Sequence, residues 1–544
     1  MLTKSNSFLG KLLSILVAAT MTLAHECQHD HHFKDHQPKV LKESFSMYKS
    51  RVLQQATWHP LRIILNYDDV NEFVKTNSGF SIQIGISTRN LVKVQHYFET
   101  LLQVHSTDQL NFGGISCNGN QLAAFNGKAD LVIYVHPETQ NKGYFAAAVS
   151  CFQSPVDSRS VIGLYLLNFF NMKISPINEY LYYSTFAHEF THILGFSISL
   201  FPLYVDENRT TLGVSRVWET MTFGDSSFPT FKLPELVKVA RDYYGCQALP
   251  GIPLQYNRTV GPNVAMSHWD RKFNPSEFMN PLVENPGHIS ILTLALLKST
   301  GWYNVNYTMA QNFKMGANRG CGHFNDNCPF GRGFCPEQGE GDNTCTYDYT
   351  AKAACTSKPD YSDTCKFKQP LELSCLMNYT AFNITADSLQ ADETYGRSSR
   401  CILISMAGSN FINNKCYLTS CSPDGRSMSI TLNSPNITFN CSSDFQSFQV
   451  NDTNGTALYS VICPQISDFC GLYNIQGPNN CNDQGISMSN GQCFCFSNLT
   501  GDDCSQTLTQ DQINQQYQEI WGSKVSSILA FYFTIVSLNL ILIL

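Results

Sequence analysis

Twenty-one cysteines in 544 residues constrain this chain more than any other feature. Cysteines at that density persist as disulfides in an oxidising compartment, and the N-terminus supplies a route there. Lys4 and Lys11 flank a polar start, the apolar run LLSILVAATMTLA follows, and Ala24 closes it as a small-residue cleavage site. Residues 1–24 therefore read as a secretory signal; a membrane span would need about 20 apolar residues. The cysteine count is odd, and one cysteine stands apart: Cys27, in HECQHDHHFKDH, just after the signal. The other twenty suffice for ten bridges. From Cys321 they recur closely with few long periodic segments, which predicts a disulfide-stabilised domain over 331–505. Each bridge there typically adds about 2–4 kcal/mol.

A second feature bears on chemistry. In FAHEFTHILGFS, Phe186 to Ser197, His188 and His192 form an i, i+4 pair, so a helix projects both from one face. Two imidazoles so placed can grip one tetrahedral ion, and Glu189 stands where it can reach a bound water. INEYLYYSTFA upstream is compatible with a helix, and Gly195 supplies its stop. The short motif also occurs as an ordinary histidine pair, so it needs a third ligand. Glu219, in SRVWETMT, would serve if it lay on a following helix. A compact continuation needs a histidine at 198, where Ile198 stands. The remaining option inserts a long segment before SHWDRKFNPSEFMNP, in which Met279 follows His268 by eleven positions, just ahead of Asn280-Pro281. That option fits best: His188, His192 and His268 hold one Zn2+ per chain, Glu189 is the general base, and Met279 forms a turn beneath the ion.

The combined pattern resembles the leishmanolysin family, the major surface metalloproteases. HEFTHILGFS, His268 after some seventy residues, and EFMNP carry the resemblance. SILTLALLKSTGWYNVNY, YGCQ, ADLVIYV and AAVSCF extend it across roughly 55–330. The residues around the third ligand, Trp269-Asp270-Arg271, vary, but no ligand or base is substituted. The resemblance implies an α+β, metzincin-like zinc endopeptidase with an inserted central region. It also implies bridges Cys117–Cys151 and Cys246–Cys321. His25, Cys27, His29 and Asp30 match the family's pro-segment motif, in which the cysteine acts as a switch by occupying the position that water needs. Glu26 stands where an arginine is commoner. The competing reading of this stretch is a histidine-rich metal-chelating tail.

The expected organisation is a pro-segment over 25–55, an N-terminal catalytic half over 56–196, and an inserted region with third ligand and Met-turn over 197–330. The cysteine-rich domain, a polar linker over 506–523 and a hydrophobic tail over 524–544 follow. LRIILNYDD, ADLVIYVH and RSVIGLYLL read as strands. Asn90–Ser106, Phe231–Cys246 and His288–Trp302 read as helices. The last six cysteines, Cys463 to Cys504, end like an EGF-like module, and a generic disulfide knot fits nearly as well. The tail fits either a GPI-attachment signal or a transmembrane helix, and either holds the chain at the extracellular face of the plasma membrane. Ten sequons, Asn208, Asn257, Asn306, Asn378, Asn383, Asn436, Asn440, Asn451, Asn454 and Asn498, all lie beyond the HEFTH motif. A net charge of −7 without basic runs leaves no case for nucleic acid. Partners are then protein or peptide substrates and the membrane; oligomeric state is not legible. A non-enzymatic glycosylated adhesin is the rival reading.

Overall fold

The computed structural model describes residues 25–41 and 57–512, apart from short segments of which 377–392 is the longest. The expected signal over 1–24, the expected pro-segment part 42–56, most of the expected linker, the expected tail, and the sequons at Asn378, Asn383 and Asn498 lie outside the described residues. Among the described residues, no helix is long and apolar enough to cross a membrane. The seven sequon asparagines that are described, Asn208, Asn257, Asn306, Asn436, Asn440, Asn451 and Asn454, are all exposed.

The chain begins with strand β1, His25–Glu26, one helical turn α1, His29–His32, and strand β2, Lys39–Val40. Next come β3, Ile63–Asn66, the long helix α2, Ser81–Leu101, and strands β4, Leu131–Pro137, β5, Ala146–Gln153, and β6, Ser160–Leu167. They form one sheet in the order β2-β5-β6-β4-β3. β4 runs parallel to β3 and β6, β5 is antiparallel to β6, and β2 is parallel to β5. Every residue of β5 and β6 is buried. Such strands read as unbroken apolar runs because both sheet faces are covered.

Side chains alternate between the faces. Ile133, Val135, Ala146, Ala148 and Tyr165 pack with α2 and with helix α3, Glu179–Leu194. Val132, Tyr134, Ala147, Val149 and Ile162 pack against Leu110, Leu122, and the N-terminal Phe33 and Leu41. Gly163 lets α3 come close, since a Cβ there would meet the Ile193 side chain at 2.9 Å. The expected helix over Asn90–Ser106 instead begins at Ser81 and stops at Leu101. Leu102–His105 is a strand with alternating burial, hydrogen-bonded to Trp58–Pro60 and Asn304–Val305. Cross-strand pairing overrides the helical spacing there.

Between α3 and residue 270 lies a four-stranded antiparallel sheet of β7, Trp218–Phe223, β8, Ser226–Phe231, β9, Ile252–Tyr256, and β10, Ala265–Trp269. Helix α4, Pro234–Tyr244, lies between β8 and β9 and ends at Gly245, whose φ of +68° is a left-handed cap. β11, Leu282–Val283, pairs with β1 across the front of the molecule. Helix α5, Ile291–Ser299, buries Leu292 through Leu297, and Ser290 caps it by accepting the Thr293 N–H.

Beyond residue 330, strands Asn343–Cys345, Ala351–Ser357 and Lys366–Ser374 form one small sheet, and six antiparallel strands between Ser399 and Ile462 form another. Twenty cysteines make ten disulfides and Cys27 alone is free. Cys117–Cys151 and Cys246–Cys321 are among them, with Cα separations of 5.6 and 4.8 Å. The closing six cysteines are not a single EGF-like unit. Cys463 and Cys470 bond back to Cys441 and Cys421 on the larger sheet, leaving Cys481–Cys493 and Cys495–Cys504 as two local loops.

Candidate metal centre

Helix α3 is anchored by its aromatic residues: Phe190 stacks on Phe98 of α2 at 5.9 Å and lies 5.7 Å from Tyr165 of β6. The same helix carries His188, Glu189 and His192, all fully buried. β10 brings in His268 from the four-stranded sheet. Ligand atoms of Cys27, His188, His192 and His268 all lie within 4.8 Å of one another.

The outer nitrogen of each imidazole faces an oxygen. His188 Nδ1–H donates to the Phe278 carbonyl at 2.5 Å, and His192 Nδ1–H donates to the Phe196 carbonyl at 2.7 Å. His268 Nδ1 lies 3.2 Å from Asp30 Oδ2. The two carbonyl partners fix the tautomers of His188 and His192 and turn their Nε2 lone pairs inward. His188 Nε2 and His192 Nε2 approach to 3.0 Å, and buried His268 Nε2 has no hydrogen-bond partner among the described residues. Protonating one ring would relieve the crowding of lone pairs, but burial holds His192 well below the usual imidazole range. A divalent cation shared by the three rings resolves both problems, and three neutral imidazoles fit Zn2+.

Glu189 Oε2 accepts the Ala148 N–H of β5 at 3.0 Å, and Oε1 lies 3.4 Å from Cys27 Sγ. Cys27 Sγ is 3.5 Å from His192 Nε2. Burial, then the Glu189 carboxylate, push this thiol well above its ordinary range; a thiolate here needs a cation beside it. Residues 25–41 are held on both sides of the cluster. Cys27 N–H donates to the Pro281 carbonyl at 2.8 Å, next to the β1–β11 pair. His29 stacks on His192 at 3.9 Å and contacts the Ala148 carbonyl and Ser197 Oγ at 2.8 and 2.9 Å. His36 reaches the Ser150 carbonyl at 3.0 Å. Asp30 accepts from the Ser267 N–H and O–H. Burial alone would raise its carboxyl, but the His268 and Ser267 contacts outweigh that and hold it well below the usual range.

Glu219 takes no part. It lies on strand β7, not on a helix, with its side chain 51% exposed and paired with Lys232. Met279 is fully buried, and its backbone carbonyl accepts the Trp269 N–H at 3.1 Å, tying the turn to the strand that carries His268. Sequence reasoning gave no role to the Phe196 and Phe278 carbonyls, which carry no side-chain signal. It also gave none to Glu277, whose carboxylate organises the turn.

The buried histidine cluster on its α/β scaffold is an arrangement that could hold a metal ion. Comparison with known proteins gives a resemblance: the leishmanolysin family profile matches residues 120–362, a little under half of the chain. Leishmanolysin of Leishmania chagasi is 24% identical over 309 residues, 51% of this chain and 49% of that protein. The leishmanolysin-like peptidase of Drosophila pseudoobscura pseudoobscura is 27% identical over 226 residues, 36% and 33% respectively. The ciliated left-right organizer metallopeptidase of Xenopus laevis is 28% identical over 201 residues, 35% and 27%. The chain thus spans about a third to a half of the length of the first relatives it matches.

Proposed function

We propose that this chain is a secreted, surface-held zinc endopeptidase, kept latent by its own pro-segment. The carrying observation is the convergence of His188, His192 and His268, with their outer nitrogens on oxygen partners and Glu189 alongside. These three imidazoles would hold Zn2+, which when bound supplies an acidified water and polarises the scissile carbonyl. Glu189 is the general base: the Ala148 N–H steadies Oε2, so Oε1 takes the water's proton and returns it to the departing amine. Met279 transfers no proton; its turn supports the His188 side of the centre through the neighbouring Phe278 carbonyl.

Cys27 is the latch. Its sulfur sits against both Glu189 and His192, where substrate and water would have to enter. The outer edge of β5, where β2 and His36 now pair, offers backbone groups to an extended peptide once the pro-segment leaves. Signal, exposed sequons and hydrophobic tail support a glycosylated protein at the extracellular face, through a GPI anchor or a single span.

The test is turnover of azocasein by processed protein and by Glu189→Gln. The amide is nearly isosteric but cannot accept the proton, so zinc should remain while turnover falls about 10²–10⁴-fold. A variant that keeps most of its activity overturns the base. Zinc-replete, processed protein that degrades nothing favours the adhesin reading.

A further inference from the structure

We propose that Glu277 is the positioning residue of this centre, its carboxylate setting the orientation of His188 and His268 without touching either. The inference rests on the three-histidine reading above and adds a residue to which that reading gives no part.

Glu277 is buried in the turn between β10 and α5. Its Oε2 accepts the Met279 N–H at 2.6 Å. Its Oε1 accepts the Ser290 O–H and the Thr293 O–H, each at 2.6 Å, and the Ser290 N–H at 3.3 Å. Two threads run from this carboxylate to the ligands. Along the first, the Met279 N–H closes the turn over residues 277–279, and the Phe278 carbonyl between them receives His188 Nδ1–H. Along the second, Thr293 Oγ1 accepts the Trp269 indole N–H at 2.8 Å while donating its own proton to Glu277. Trp269 follows His268 directly, and its backbone N–H donates to the Met279 carbonyl. One side chain thus ties together the turn, the cap of α5 and the strand carrying the third ligand.

The chemistry suits the task. A carboxylate accepts at both oxygens and donates nothing when ionised, so all four donors can point at it together. A glutamine would present its NH2 to one side and set it against a donor. Burial pushes the Glu277 carboxyl up to about 7, while the four donors each act to lower it and so favour the ionised form.

The experiment uses processed, zinc-loaded full-length protein and three variants, Glu277→Gln, Thr293→Val and Thr293→Ser. Readouts are the rate of zinc release to a chelator, the visible spectrum of the cobalt-substituted protein, and kcat against KM. Partners of this kind are worth about 10–100-fold in metal affinity or activity. Glu277→Gln should therefore release zinc faster by about that factor, shift the cobalt bands, and lower kcat with KM unchanged. Thr293→Val should move the same readouts less far, and Thr293→Ser should restore them. Should Glu277→Gln fail to fold, the two Thr293 variants decide. Wild-type zinc release and cobalt spectra in Glu277→Gln and Thr293→Val overturn the proposal. A parallel His268→Ala control separates the failures: if it keeps its zinc, the three-histidine reading is wrong; if it loses zinc while Glu277→Gln behaves as wild type, only the positioning role is.

Discussion

Up to Cys321 the chain carries two disulfides and two apolar clusters on the two faces of the central sheet, the larger of which joins α2, α3, α4, α5 and that sheet. Beyond it, eight disulfides link short strands around smaller clusters. The first region positions its imidazoles by packing and by buried hydrogen bonds, as the stacking of Phe190 and the Phe196 and Phe278 carbonyls illustrate. The second relies on covalent links where short strands bury little apolar surface. A metal centre needs its ligands held to a fraction of an ångström, and the histidine cluster proposed to hold one lies in the region with the larger apolar clusters.

Cys27 is the point where the two regimes differ most, since it is the cysteine that sits in the first region's site and forms no bridge. The largest expected effect is therefore on latency. Cys27→Ala precursor should hydrolyse azocasein without processing and keep all ten bridges, and thiol-reactive mercurials should activate the wild-type precursor without cleavage. A Cys27→Ala precursor as latent as wild type breaks that assignment. Next in size is Phe190→Ala, which removes an aromatic ring from between α2 and β6 and should cost about 3–5 kcal/mol. Urea unfolding should show the loss, with weakened zinc retention. Replacing Cys421 and Cys470 together by Ser should cost about 2–4 kcal/mol, confined to the second region. Hydrogen exchange should rise in the six-stranded sheet while zinc stays bound; zinc loss here would mean that the two regions are not separate in their energetics. Smallest is Glu219→Ala. An exposed pair of this kind is worth about 0–1 kcal/mol, so melting temperature and zinc content should both stay close to wild type.

Legibility in the sequence followed the physical range of each interaction. The i, i+4 spacing of His188 and His192 is local geometry and needs only a helix. His268 was readable because Met279 and Asn280-Pro281 mark a turn at a fixed distance from it. The buried strands β4 and β6 stand out as apolar runs. What was not readable depends on partners remote in sequence. Leu102–His105 leaves the helical pattern because Trp58–Pro60 and Asn304–Val305 flank it. The ties of Cys463 and Cys470 to the larger sheet could not be chosen from spacing, since cysteine positions alone leave connectivity open. The role of Glu277 is divided among Met279, Ser290, Thr293 and, through Thr293, Trp269.

The most direct test of the centre is zinc content after mild chelation in His268→Ala, set beside Glu219→Ala under the same conditions. His268 lies some seventy residues beyond the helix, so a dependence of the metal on it reports the convergence of α3 and β10 rather than the motif alone. The account predicts that His268→Ala loses its zinc while Glu219→Ala retains it. Zinc retained by His268→Ala and lost from Glu219→Ala would contradict it and move the third ligand to the glutamate.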